Sequence, residues 1–382
     1  MLLGAGHNTA KSTDDRILVV VQMSGGNDGL NTVIPYADDE YYKNRFTLAI
    51  GKNSVRKLND HVGLHPSLDG LKELLDRKQM SIIQGVGYAQ PNRSHFESMD
   101  LWHTAHQIDG VETTGWLGNT AEKSFSKIDL PAIHFGSGLQ PLALKTKHHP
   151  VPSIQSMDQF ELKLFRNRKL RNEISRLVKN KPQSDNDLLG YVYESANVAI
   201  ETSHRIEELK NESSNEFRYP QTSLGQNLNI IAQLIGSGLS TRIYYTSIDG
   251  FDTHSNQADA HSGLLKDLGD SIGTFMRQIT AQGNDQRVCV FSFSEFGRRV
   301  RENASRGTDH GTAAPVFVFG GNQVSHLHGE HPSLTDLEGG DLKYQIDYRR
   351  VYADLLANWL QVDPTAMIPE SYLPLGIFRA DS

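Results

Sequence analysis

Apolar runs of strand length alternate with segments of helical periodicity along most of the chain. Short, continuous apolar runs that end in polar, Gly-containing loops predict strands buried on both faces. These runs are 16–23, 80–88, 131–136, 241–248, 288–293 and the later APVFVFGG. Helices are predicted at 65–79, 92–105, 223–238, 261–283 and 347–361. Regular alternation of the two predicts an α/β protein with a mostly parallel central sheet flanked by helices.

One long segment departs from this alternation. Residues 160–216 are rich in Lys, Arg, Glu, Asn and Leu and nearly free of glycine, which predicts a helical insertion with solvated charged faces. We therefore expect a single domain over 16–382, preceded by a disordered or processed segment at 1–15. A protein partner that docks on 160–216 is one interpretation of the insertion.

Composition narrows the class of protein. The chain has 382 residues, of which 37% are hydrophobic and 22% charged, as in globular proteins. A net charge of −7 argues against nucleic-acid binding, and no apolar stretch reaches the roughly 18 residues of a membrane span. Cys289 is the single cysteine, which excludes an intrachain disulfide and a Cys-based zinc site. The first residues show no export signal.

Polar side chains follow four of the predicted strands, where ligands of parallel sheets usually bind. Carboxylates and imidazoles from separate strand ends would converge there, and both are ligands of divalent metal ions. A serine at the start of a helix adds a position that favours an anion. The candidates are Asp28, Arg93, Ser94, Asp252, His254, Glu295, Asp309 and His310.

Each candidate also has a purely structural interpretation. Asp28 lies in a glycine-rich segment, where turn residues are common. Ser94 and Glu97 have the S-x-x-E spacing of a helix capping box. Asp252 and His254 are alternatively a turn residue and a surface histidine. Glu295 can form an ion pair with Arg298 or Arg299, and His310 can be a core histidine.

Five long motifs make the sequence resemble the bacterial family called domain of unknown function 1501. They are LVVVQMSGGNDGLNTVIPY, GYAQPNRSHFESMDLW, GFDTHSNQ, SEFGRRVRENASRGTDHGTAAPVFVFGG and DYRRVYADLLANWL. This family is similar to the alkaline phosphatase-like superfamily of phosphatases, phosphodiesterases and arylsulfatases. The resemblance implies a three-layer sandwich, divalent metal ions (Zn²⁺, or Mn²⁺, Ca²⁺ or Mg²⁺) and a small anionic substrate. Because family members usually carry a twin-arginine export signal, it also implies a periplasmic location.

The resemblance also implies roles for individual residues. Ser94 takes the place of the nucleophile, activated by metal, and Arg93 would hold an oxygen of the substrate. The implied metal ligands are Asp28, Asp252, His254, Glu295, Asp309 and His310, with Asp309 alternatively supporting a ligand and Asp249 an alternative to Asp252. The expected function is metal-dependent hydrolysis of phosphate esters or related anionic esters. The alternative is a non-catalytic binding or assembly protein that keeps the fold.

Two features depart from the superfamily pattern. Glu295 stands where an Asp-His pair is expected, so one histidine is missing and a site with a single metal ion, or none, becomes an alternative. The segment NRSHF lacks the C/S-x-P-x-R pattern of formylglycine sulfatases. A separate cluster, HLHGEH, contains His326, His328 and His331 and is expected to form a polar surface loop, with at most one histidine near the site.

Overall fold

A central sheet of nine strands runs through this computed structural model, with helices on both faces. The structure describes residues 15–105, 114–136, 138–154, 216–324, 326–368 and 372–379. The predicted N-terminal segment 1–15, except its last residue, lies outside these ranges, as does nearly all of the predicted insertion at 160–216.

The apolar runs form strands because their side chains are buried on both faces of the sheet. The strands are β1 (Ile17–Met23), β2 (Val33–Ile34), β3 (Arg56–Lys57), β4 (Gly63–Leu64), β5 (Met80–Gly87), β6 (Ala132–Phe135), β7 (Ser153–Ile154), β8 (Ile243–Ile248), β9 (Val288–Phe293), β10 (Ala314–Gly320), β11 (Leu327–His328), β12 (Leu337–Glu338), β13 (Asp341–Leu342) and β14 (Ile346–Asp347). The α-helices are α1 (Gly29–Thr32), α2 (Asp39–Asn44), α3 (Lys72–Asp76), α4 (His95–Thr104), α5 (Trp116–Ser124), α6 (Ser223–Gly236), α7 (Gln257–Ala281) and α8 (Tyr348–Asp354).

The strand order in the central sheet is β11-β5-β10-β9-β1-β8-β6-β7, and β14 also pairs with β5. All neighbouring strands are parallel except β10, which is antiparallel to both β5 and β9. The predicted mostly parallel, helix-flanked sheet is therefore confirmed. Because β10 is reversed, the residues that precede it lie at the same edge as the residues that follow β1, β5, β8 and β9.

Strand β1 shows how the two faces are packed. Val19 and Val21 contribute to one apolar core with residues of α6 and α7, while Leu18 and Val20 contribute to a second core. The second core contains aromatic residues of α4 and α5. Alternate side chains of a strand point to opposite faces, so one buried strand supports both cores. The result is three layers: helices, sheet and helices.

Three predicted elements differ in detail. The predicted helix at 65–79 is a 3₁₀ helix, Pro66–Leu71, followed by the short α3. The predicted closing helix is α8 followed by a π-helical segment, Leu355–Leu360. Part of HLHGEH is not a loop, because β11 pairs in parallel with β5 at the sheet edge. In the described part of the chain, no helix combines the length and apolar character of a membrane span.

Candidate metal-binding site

The floor of the site is a close packing of loops at the carboxyl edge of the sheet. Gly25, after β1, has a φ of +113°, and a Cβ there would lie 2.4 Å from the backbone nitrogen of Asp252. The next residue, Gly26, would bring a Cβ within 2.5 Å of the Phe296 ring. Only glycine fits both the backbone conformation and this space. The Gly-Gly pair thus lets the loops after β1, β8 and β9 meet.

His95, in the first turn of α4, is oriented by a buried carboxylate. Its Nδ1 lies 2.8 Å from Oε1 of Glu295, and the Glu295 side chain is 2% exposed. The hydrogen bond from this ring to Glu295 raises the pKa of His95. Its other ring nitrogen, Nε2, is buried and has no hydrogen-bond partner among the described residues. His95 therefore presents a free nitrogen toward the space beside Asp252.

Two further imidazoles are oriented in the same way. The Nδ1 of His254 lies 3.2 Å from Oδ1 of Asp309. The Nδ1 of His310 lies 2.8 Å from the backbone carbonyl oxygen of Arg93. Both acceptors require a proton on Nδ1, so Nε2 is the nitrogen that each ring turns toward the site. Metal-binding histidines are usually held in this way, by a carboxylate or a backbone carbonyl at the other ring nitrogen.

The three Nε2 atoms converge on Asp252. Those of His254 and His310 lie 3.0 Å from its Oδ1, and that of His95 lies 3.5 Å from its Oδ2. Neutral rings with Nδ1 protonated would direct three lone pairs at an ionised carboxylate, and such groups repel unless a proton or a cation lies between them. Imidazole nitrogen and carboxylate oxygen are ligands of Zn²⁺ and related ions. The residues therefore fit a divalent cation.

Arg298 holds the Asp252 carboxylate in its ionised form. Burial by itself would raise the pKa of Asp252, but the hydrogen bond and the charge of Arg298 act against it, and this pKa is lowered to about 2. The Arg298 Nη2 lies 2.6 Å from Asp252 Oδ1, and the guanidinium is fully buried. The sequence-based alternative that Arg298 pairs with Glu295 is thus wrong, because Glu295 instead accepts from Gly25 N–H and His95.

Ser94 lies between Arg93, whose backbone carbonyl oxygen contacts His310, and His95, whose ring contacts Glu295. It is the N-cap residue of α4, but its side chain makes no capping hydrogen bond. The expected capping box does not form, because the Ser94 N–H donates to Asn92 Oδ1 and Glu97 accepts from the Asn92 amide. The Ser94 hydroxyl is therefore not committed to the helix end.

The side chain of Arg93 is placed differently from the expectation. Its guanidinium forms an ion pair with Asp341 of β13, whose side chain is 1% exposed. The contact of Arg93 with the cluster comes from its backbone carbonyl oxygen, which accepts from His310. A role in holding a substrate oxygen consequently competes with this ion pair.

The predicted role of Asp28 as a metal ligand is corrected by the contacts of its carboxylate. Both of its oxygens are engaged by the guanidinium of Arg45, with Oδ1 2.9 Å from Nη2, and Gln257 donates to Oδ2. Both Asp28 and Arg45 are fully buried. Although burial would raise the pKa of Asp28, the charge and hydrogen bonds of Arg45 lower it. Asp28 is thus a carboxylate with a permanent protein counter-charge rather than an open ligand.

The predicted residues other than Asp28, Arg93 and Ser94 fall into two groups. The structure brings Asp252, His254 and His310 together, with the exposed Asp249 outside the contacts of this cluster. Glu295 contacts the Nδ1 atom of His95, and Asp309 contacts the Nδ1 atom of His254. His95 stands beside Ser94 in the motif NRSHF at one of the polar strand ends, but no ligand role was predicted for it from the sequence. Among described residues, the cluster HLHGEH contributes no ligand group.

Together, this fold and site define an α/β protein with a histidine-carboxylate cluster at the carboxyl edge of its sheet. Residues 15–361 match the family described as "Protein of unknown function (DUF1501)". The chain belongs to this family, as its motifs predicted. A comparison with curated proteins finds no match.

Several solved structures of alkaline phosphatase-like enzymes are similar to the chain. The lipoteichoic acid synthase LtaP from Listeria monocytogenes is 8% identical, with a TM-score of 0.37 over 83% of this chain and 66% of that one, just under two thirds. The C-terminal periplasmic domain of EptC from Escherichia coli is 9% identical, with a TM-score of 0.39 over 94% and 87%. The alkaline phosphatase of the Antarctic bacterium TAB5 is 11% identical, with a TM-score of 0.35 over 80% and 92%.

Proposed function

We propose that the protein is a metal-dependent hydrolase of phosphate esters or related anionic esters. One observation carries the proposal: the Nε2 atoms of three histidines converge on the ionised Asp252. The proposed direct ligands are His95, Asp252, His254 and His310. Three imidazoles and one carboxylate favour a borderline cation such as Zn²⁺ over Mg²⁺ or Ca²⁺, which prefer oxygen ligands.

Glu295 and Asp309, which the sequence offered as ligands, are proposed to orient His95 and His254 instead. A hydrogen bond to a carboxylate fixes the tautomer of a histidine and strengthens it as a ligand. The Glu295 carboxylate is already engaged within the protein, since its Oε1 accepts from the Gly25 N–H and contacts His95 Nδ1. The carboxylate of Asp309 accepts from Asn303 as well as from His254.

Ser94 is the proposed nucleophile. Its neighbours on both sides contact the cluster, and its hydroxyl is free of a capping role. A bound divalent ion lowers the pKa of a coordinated hydroxyl and stabilises negative charge on ester oxygens. The first N–H groups of α4 follow Ser94 directly, and such groups favour an anion. The Ser94 hydroxyl would therefore face an anionic ester held between a helix end and the cation.

The non-catalytic alternative has one observation in its favour. Arg93, the cation expected to hold a substrate oxygen, forms an ion pair with the buried Asp341. A site without a free guanidinium would bind a cation without turning over an ester.

Turnover measurements separate these alternatives. The full chain, stripped with a chelator and reloaded with Zn²⁺ or Mn²⁺, is assayed with 4-nitrophenyl phosphate and bis(4-nitrophenyl) phosphate. The proposal predicts metal-dependent turnover that Ser94→Ala abolishes without loss of bound metal. The control is Ser126→Ala, an exposed serine in the loop that leads into β6. Bound metal without turnover of either ester would favour the non-catalytic alternative, and turnover by Ser94→Ala would exclude Ser94 as the nucleophile.

A further inference from the structure

Two guanidinium groups are fully buried near the site, and each is paired with a carboxylate that the sequence offered as a metal ligand. Arg45 pairs with Asp28, and neither side chain is exposed. Arg298 pairs with Asp252, and its own side chain is also 0% exposed. An arginine stays positively charged under all ordinary conditions, so both are permanent cations inside the protein.

Every donor group of Arg298 is used by the loops that carry the site. Its Nε donates to the carbonyl oxygen of Gly26 at 2.7 Å, and its Nη1 donates to that of Thr308 at 2.8 Å. Its Nη2 donates to the carbonyl oxygens of Gly25 and Phe251 and to Asp252. Because the guanidinium is buried and each of its three nitrogens donates a hydrogen bond, Arg298 cannot move away from Asp252 to make room for a second ion.

The remaining carboxylates offer little to a second ion. Asp28 is occupied by Arg45, and Glu295 by His95 and the Gly25 N–H. Asn303 and His254 both contact one oxygen of Asp309, Oδ1. Within the ranges that the structure describes, the ligand atoms close enough to hold an ion belong to His95, Asp252 and His310. The Nε2 atom of His254 joins them, 3.0 Å from both Asp252 Oδ1 and His310 Nε2.

We propose that this cluster binds a single divalent ion per chain, and that Arg298 supplies the positive charge that a second ion would supply at Asp252. This inference rests on the proposed metal site. A second ion sharing Asp252 would lie beside the buried guanidinium, and two like charges at such a short separation repel each other. Protein cations thus pair with two of the carboxylates predicted as metal ligands, and only Asp252 keeps a ligand role.

The number of bound ions tests this directly. The full chain, stripped with a chelator, is dialysed against increasing Mn²⁺, and bound manganese is measured per chain with the electron paramagnetic resonance spectrum. We expect saturation at one Mn²⁺ per chain and the spectrum of isolated ions. Two ions per chain with a spin-coupled spectrum would overturn this inference and leave the proposed metal site standing. Absence of bound Mn²⁺ and Zn²⁺ would overturn both.

A pair of variants tests the role of Arg298 itself. Arg298→Lys keeps a positive charge beside Asp252, whereas Arg298→Gln removes it, and both lose most of the carbonyl contacts. If charge limits cation binding, the Gln variant should bind Mn²⁺ about tenfold more tightly than the Lys variant. A purely structural role predicts equal weakening in both variants, and that result would overturn the proposed role. If neither variant folds, the ion count of the wild-type chain decides the inference.

Discussion

The Nε2 atoms of His254 and His310 lie 3.0 Å apart, although the two residues are separated by 56 positions in the chain. Both nitrogens are also 3.0 Å from Asp252 Oδ1. Two ring nitrogens and a carboxylate oxygen at this spacing need a shared proton or a shared cation. A shared divalent cation is the partner that we propose.

His95→Ala should weaken metal binding as strongly as His254→Ala or His310→Ala. Loss of a direct ligand should exceed the roughly 10–100-fold loss that follows removal of an outer partner. Zinc affinity is measured by competition with a chromophoric chelator. The exposed His61 provides the control, and His61→Ala should bind zinc as the wild type does. Unchanged affinity in His95→Ala would remove this residue from the ligand set.

Glu295→Gln tests whether Glu295 orients His95 or binds the ion itself. The amide keeps the size of the side chain but replaces the charged acceptor beside Nδ1, so zinc affinity should fall by about 10–100-fold with one ion still bound. Asp309→Asn should act in the same direction on His254, with a smaller effect because this carboxylate is 55% exposed. Complete loss of the ion in Glu295→Gln would indicate direct ligation.

The strands were predictable because burial on both faces leaves a continuous apolar run. The run 16–23 became Ile17–Met23, and 80–88 became Met80–Gly87. The direction of a strand leaves no such trace, so the antiparallel β10 was not foreseen. That reversal is what brings His310, which precedes its strand, to the edge where Asp252 follows its own.

The partners of charged residues were less predictable than the residues themselves. Asp28 was identified as a candidate, but nothing in the sequence marks Arg45 as its partner, because the pairing depends on how the chain folds back. The S-x-x-E pattern predicted a capped helix at Ser94, and no ligand role was predicted for the adjacent His95. Asn92, two residues before Ser94, accepts the N–H that the capping box would have satisfied.

Asp28→Asn should destabilise the protein without changing the number of bound ions. It leaves the fully buried Arg45 without a counter-charge, and breaking a buried pair in this way costs about 3–5 kcal/mol of the free energy of unfolding. Urea unfolding measures the loss. As the control, Lys266→Ala removes an exposed ion pair with Asp270 and should change stability by less than about 0.5 kcal/mol. A metal ligand role for Asp28 would show as loss of an ion.

Stability should fall as the pH drops below about 6.5, the usual pKa of histidine in an unfolded chain. Burial lowers the pKa of His103 to about 3 and that of His134 to about 4. Above pH 6.5 both states are neutral at these residues and the pH has no effect through them. Below pH 6.5 the unfolded chain binds protons that the folded protein does not bind. The free energy of unfolding therefore falls by about 1.4 kcal/mol per pH unit for each histidine.

This loss should continue down to the lowered pKa values of the folded protein. Urea unfolding at about pH 7.5, 6 and 5 gives the dependence for the wild type and for His103→Gln. In the variant, the slope of the unfolding free energy against pH should correspond to about one fewer proton taken up on unfolding. Equal slopes would mean that His103 does not titrate differently in the two states.

Anomalous diffraction from crystals soaked in Zn²⁺ is the most direct measurement of the central claim. The account predicts a single strong peak beside Asp252, about 2.0–2.2 Å from the Nε2 atoms of the ligating histidines. The peak should be bounded by the Nε2 atoms of His95, His254 and His310. A zinc peak elsewhere, or none here at saturating Zn²⁺, would contradict the account.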